Sequence, residues 1–93
     1  MKILQTRVFK KSYKKLHSNQ KADLDAAIRI IINDPQAGTS KTGDLSDIRV
    51  YKFHMIKQMT LLAYTFDDQT ITLTLLALGS HENFYRDLKN RPA

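Results

Sequence analysis

Two imidazoles, a phenol and neighbouring cations are the side chains of this 93-residue chain best suited to chemistry. In the run from Ile48 to Met55, strand alternation sets Arg49, Tyr51, Phe53 and Met55 on one side. Ile48, Val50, Lys52 and His54 fall on the other. If the aromatic side is buried, Lys52 and His54 project together from the opposite one. His81 directly follows the last strand-like run, and Tyr85 lies four residues beyond it. Such a group suits cleavage of an RNA phosphodiester. The 2′-hydroxyl needs a base, the leaving 5′-oxygen needs an acid, and the crowded phosphorane needs positive charge. Imidazole serves both proton roles because it ordinarily titrates near neutrality.

Other chemistries lack their residues. Without cysteine there is no thiolate nucleophile, disulfide framework or zinc ribbon. The acids are scattered without metal-ligand spacing, so we expect no metal site and no cofactor. Gly38, Gly43 and Gly79 are isolated, which excludes a phosphate-cradling loop. No nucleophile-elbow motif for a serine hydrolase is present.

The elements that position these residues follow from periodicity. Ile3-Leu4-Gln5 reads as a short strand. Thr6 is placed to cap a helix over about 7–17, in which Phe9, Tyr13 and Leu16 form the inward stripe and Lys10, Lys11, Lys14 and Lys15 stay largely solvated. His17 at that helix end interacts favourably with the dipole. Ser18-Asn19 breaks and recaps. A second helix runs to about Asn33, with Leu24, Ala27, Ile28 and Ile31 on one face, Asp23 and Asp25 in its early turns, and Pro35 ending it. Residues 36–45 read as a loop. Strands follow from Ile48 to Met55, Met59 to Phe66 and Ile71 to Leu78, with a turn at Asp67-Asp68-Gln69. Their connections are too short for parallel crossovers, so they form an antiparallel meander. Residues 81–90 make a short terminal helix or turn. The expectation is an α+β fold, β-αα-βββ-(α), in which the N-terminal strand and helical hairpin pack on one face of a small antiparallel sheet and the other face stays open.

The chain is one domain, 1–93. Fifteen Lys and Arg against nine Asp and Glu give a formal charge of +6, which favours an anionic partner such as nucleic acid. Residues 1–17 carry six cations and no acid, whereas residues 18–47 carry three cations and five acids, so the charge is zoned. The N-terminus lacks the apolar run of a signal peptide, and Ile30-Ile31-Ile32 is far short of a membrane span. The apolar side of the first helix is narrow and needed for the core, so no membrane partner is expected. A reduced, cytoplasmic protein with a thin core is expected.

The order β-αα-βββ resembles the RelE/ParE superfamily of type II toxin–antitoxin toxins. The resemblance also rests on three segments. They are Gly43-Asp44-Leu45-Ser46-Asp47-Ile48-Arg49-Val50-Tyr51-Lys52, Leu61-Leu62-Ala63-Tyr64 and Leu78-Gly79-Ser80-His81-Glu82-Asn83-Phe84-Tyr85-Arg86-Asp87-Leu88. The resemblance implies a toxin neutralised by a cognate antitoxin, with DNA contacted only through that antitoxin. It implies either a ribosome-dependent mRNA endonuclease that inhibits translation or a DNA gyrase inhibitor without nuclease activity. On the nuclease reading His54, His81 and Tyr85 are catalytic, and Arg49, Lys52, Lys57, Arg86, Lys10 and Lys14 contact mRNA or ribosomal RNA. Leu61 stands where many relatives of the nuclease branch carry an arginine, which is closer to the histidine-using, YafQ-like branch.

Overall fold

The computed structural model describes residues 1–41 and 47–80, together with Phe84 and Leu88. Its elements are β1 (Lys2–Gln5), α1 (Arg7–Lys14), α2 (Ser18–Asn33), β2 (Thr39–Ser40), β3 (Arg49–Met55), β4 (Gln58–Asp67) and β5 (Thr72–Gly79). The strands form one sheet in the order β1-β5-β4-β3-β2. Two helices packed on this sheet give the expected α+β architecture.

Thr6 starts α1 as its spacing predicts. Its hydroxyl accepts the Phe9 amide at 3.1 Å and donates to the Leu76 carbonyl at 2.6 Å. One side chain therefore supplies an N-cap and ties the helix to β5. The helix stops at Lys14, short of the expected 17, because its end tightens. The Lys15 amide bonds Ser12 and the Leu16 amide bonds Tyr13, each an i→i−3 link. That tightening turns Leu16 toward the core. His17 consequently stands at the N-cap of α2 rather than at the end of α1, its amide bonded to the Gln20 side chain at 2.8 Å. Ser18 and Asn19 open the second helix instead of breaking the chain. Along α2, Leu24, Ala27 and Ile31 are buried as the apolar spacing requires.

The β3-β4-β5 meander is antiparallel throughout, as its short connections demand. β1 instead joins β5 in parallel, with Lys2 opposite Thr72 and Gln5 opposite Leu75. The intervening chain is long enough for that crossover, so the sheet is mixed and the N-terminal strand forms its edge instead of lying on its face. The two-residue β2, inside the stretch read as a loop, pairs Thr39 with Val50 and Ser40 with Arg49. It is too short to show alternation.

Both faces of the sheet are used. On the helix side, Phe9, Leu24 and Ile31 pack with Met55, Leu62, Tyr64, Leu73 and Leu75, and Tyr51 and Phe53 lie half-buried beside them. On the other side Ile48, Val50, Leu61, Ala63, Leu76 and Ala77 are buried with Phe84 and Leu88. A register shift after Ala63 leaves Leu76 as an extra residue on β5, and Leu76 and Ala77 both join this second cluster. The face expected to be open is therefore closed over much of its area, and the core is two-sided rather than thin. The reason is composition: without Phe84 and Leu88, these apolar strand residues would form a contiguous exposed patch. The rest of the terminal helix expected at 81–90 lies outside the described residues.

A buried tyrosine fastens the loop after α2. The Tyr64 hydroxyl donates to the Pro35 carbonyl at 2.7 Å and accepts the Gly38 amide at 2.9 Å. Gly38 must be glycine, since a β-carbon there would sit 2.8 Å from the Tyr64 ring and hydroxyl. Burial raises the Tyr64 pKa above the usual 10, although the Gly38 amide and the Arg49 charge pull it back in part.

Candidate functional site

Lys52 and His54 are both exposed on β3, on the side away from the helices. Two strand residues apart, their α-carbons are separated by roughly 7 Å. Lys52 lies opposite Leu61 on β4, and Leu61 lies opposite Gly79 on β5. Two strand spacings put Gly79 about 10 Å from Lys52 on the same face. Gly79 closes β5, two residues before His81 in sequence, and a β-carbon on it would touch the Phe84 ring at 3.4 Å. His81, Tyr85 and Arg86 lie outside the described residues. Phe84, next to Tyr85 in sequence, is anchored on the face that carries Lys52 and His54.

The remaining candidate cations divide between surfaces. Lys57 is exposed in the two-residue turn between β3 and β4, directly beyond the His54–Met59 pair and its neighbour Met55–Gln58. Arg49 pairs with Tyr64 and so belongs to the helix side, where its guanidinium donates to the Gly38 carbonyl at 2.8 Å. Lys10 and Lys14 are exposed on α1, also on the helix side and separated from His54 by the sheet. Only Lys52, His54 and Lys57 of the described candidates share one region.

Leu61, at the position where the family resemblance implies an arginine, is fully buried with Phe84 and Leu88. A charge could not be held there without a partner. On the helix side, a cavity of about 360 Å³ is lined by Asp34, Pro35, Gln36, Arg49, Phe66 and Asp68, at the opposite end of β3 from His54. Among the described residues, no three His, Asp or Glu side chains converge to hold a metal ion. No described helix is long and apolar enough to cross a membrane.

Sequence reasoning missed three residues around His54. Asp23 is not in the first turn of α2; its carboxylate accepts the Ile56 amide at 2.9 Å and fixes the β3–β4 turn to the helix. Ile56 and Met59 project from that hairpin, 45% and 43% exposed. The spacing of two apolar strands around Ile56-Lys57 was visible, but the turn geometry was not.

Comparison with known proteins agrees with this architecture. The chain resembles RelE in the intact E. coli RelBE toxin–antitoxin complex with a TM-score of 0.70 and 18% identity, over 87% of this chain and 96% of that one. A mutant of E. coli RelE in the free state gives a TM-score of 0.73 at 16% identity, over 98% and 97%. A YoeB/ParE toxin from Agrobacterium tumefaciens gives 0.72 at 16% identity, over 87% and 99%. No curated protein matches the chain significantly. The family model for ParE-like toxins of type II bacterial toxin–antitoxin systems matches residues 3–89. With the fold shared along nearly the full length and that model covering almost every residue, this chain belongs to the ParE-like toxins of type II bacterial toxin–antitoxin systems, within the RelE/ParE superfamily.

Proposed function

We propose that this toxin is a ribosome-dependent mRNA endonuclease that acts without a metal and arrests translation in the cytoplasm. The observation that carries the reading is the register Lys52–Leu61–Gly79, which sets the end of β5 beside the exposed Lys52 and His54. In the reaction, one of His54 and His81 takes the proton from the 2′-hydroxyl, and the freed oxygen attacks phosphorus. The bond from phosphorus to the 5′-oxygen breaks, and the other histidine protonates that leaving oxygen. The products are a 2′,3′-cyclic phosphate, opening to a 3′-phosphate, and a 5′-hydroxyl. Lys52 and Arg86 stabilise the phosphorane charge, Tyr85 stacks on a base or orients it, and Lys57 extends the cationic surface. Arg49, Lys10 and Lys14, on the far side of the sheet, contact ribosomal RNA rather than the scissile phosphate.

The similar structures include toxin–antitoxin complexes from E. coli, Mycobacterium tuberculosis and Pyrococcus horikoshii. That likeness supports a cognate antitoxin for this chain; we propose further that the chain contacts DNA only through that partner. The test is expression of His54→Ala and His81→Ala variants without antitoxin. Loss of a general acid or base lowers cleavage by ~10²–10⁴-fold. Undiminished growth arrest and mRNA cleavage in both variants would refute the assignment.

The buried Leu61 favours a second reading, a gyrase inhibitor with no chemistry of its own. Double-strand DNA breaks on induction, with mRNA intact, would select it.

A further inference from the structure

The β3–β4 turn is built from the wrong residues for its shape. Met55 pairs with Gln58, so Ile56 and Lys57 are the two central residues of the hairpin turn. Both have positive φ, 50° and 68°. A two-residue turn of this kind ordinarily uses Asn-Gly or Asp-Gly, and a β-branched residue at positive φ is a true outlier. The strain brings little packing return, because Ile56 stays 45% exposed and joins neither buried cluster. Nor does the Asp23 bond require isoleucine, since it is made to the backbone amide. Ile71 is likewise exposed and at positive φ, with only its backbone carbonyl engaged, by the Lys2 amide; what sets the Ile56 turn apart is the cationic surface beside it.

What the turn presents is apolar and cationic together. Ile56 stands beside Lys57, and Met59 lies opposite His54, with Lys52 one step further along β3. Among the described residues, no hydrogen bond or ion pair engages the side chains of Lys52, His54 or Lys57. The acid nearest in the hydrogen-bond network, Asp23, directs its carboxylate at the Ile56 amide. Exposed apolar tips flanked by cations suit a polymer that offers bare base faces and phosphates, since a stacked duplex must first be unstacked, at a free-energy cost, to admit them.

We propose that the Ile56-Lys57 turn is a recognition element for single-stranded RNA, with Ile56 and Met59 against base faces and Lys57 on a phosphate. This rests on the endonuclease reading and extends it by naming the part that holds the strand beside His54. The Met55–Gln58 pairing closes the hairpin and the Asp23 bond anchors it to α2, so that the tip is held in place, against its own strain, before RNA arrives.

The experiment replaces the turn by residues that its geometry prefers. In Ile56→Asn/Lys57→Gly the backbone shape is retained and relieved of strain, so the variant melts higher than the parent. Binding of the full chain is read by fluorescence anisotropy on a labelled 2′-O-methyl RNA single strand, which lacks the attacking hydroxyl. Affinity of the double variant is expected to fall about tenfold or more, and growth arrest to weaken with it. Ile56→Asn alone lowers affinity without changing its salt slope, whereas Lys57→Gly alone reduces that slope by about one unit.

A double variant that melts higher and binds the strand as the parent does overturns the proposal. So does one that melts lower, since Ile56 would then be a structural residue. Loss of growth arrest with RNA affinity intact would assign the tip to a protein partner and also overturn it. A parent chain that fails to bind the strand overturns this proposal, whatever its effect on mRNA. If His54→Ala and His81→Ala cleave normally while the turn variant loses binding, the catalytic assignment fails and the tip stands.

Discussion

Replacing Tyr64 by phenylalanine removes one oxygen from a fully buried side chain and leaves its ring in place. The magnitude follows from the two partners. The Gly38 amide, on a buried residue, loses the acceptor it holds at 2.9 Å. An unsatisfied buried amide costs ~1–3 kcal/mol. The Pro35 carbonyl, on a half-buried residue, loses a donor at 2.7 Å but can be rehydrated, a smaller cost of ~0.5–1.5 kcal/mol. Together these give about 1.5–4.5 kcal/mol, and at ~4–8 °C per kcal/mol for a domain of this size the melting temperature falls by about 6–36 °C. Circular dichroism during heating measures it. A second readout is alkaline unfolding. The Tyr64 phenol keeps its proton in the folded state above the pH at which the unfolded chain releases it. Its contribution is therefore complete below pH ~10 and declines as pH rises toward the higher folded-state value. Tyr64→Phe abolishes that share of the decline; the part due to Tyr13, also raised by burial and by Asp25, remains. A Tyr64→Phe protein that melts within about 2 °C of the parent would refute the reasoning. An alkaline decline of the same steepness in both proteins would refute its electrostatic half.

Two further substitutions test the same framework. Thr6→Ala removes both the cap of α1 and the bond to the Leu76 carbonyl, at a cost of ~1–2 kcal/mol in denaturant unfolding. Thr6→Ser restores most of that loss, and an alanine variant as stable as the parent would deny the hydroxyl its role. Leu61→Arg supplies the arginine that the resemblance to the nuclease branch leads one to expect, but places an unpaired charge in a fully buried site. We expect a loss of more than ~4 kcal/mol, seen as a collapsed melting transition, rather than a gain in cleavage. A folded Leu61→Arg protein with faster cleavage would show that the position can open.

Most elements were legible in the sequence because their patterns are local. The Phe9-Tyr13 and Leu24-Ala27-Ile31 spacings placed two helix faces correctly, and alternation from Ile48 to Met55 separated Tyr51 and Phe53 from Lys52 and His54. The early end of α1 was not legible, since it depends on Leu16 reaching a core built by distant strands. The candidate site was legible in part for the same reason. Alternation made neighbours of Lys52 and His54 and set Arg49 on the other side; it was the nuclease reading of the family resemblance that grouped Arg49 and the α1 lysines with them as RNA contacts, although the sheet stands between.

Length, charge, the missing cysteines and the two periodicities were determined by the sequence itself, because each is a property of composition or of residues within a few positions of one another. Tertiary structure alone decided what depends on pairing between remote segments. It joined β1 in parallel to β5 and brought Gly79 into line with Lys52 through Leu61. It closed much of the second sheet face with Phe84 and Leu88, and it bent Ile56 and Lys57 into a turn held from α2 by Asp23. Register and burial are set by the free energy of the assembled core, which no local window of the chain contains.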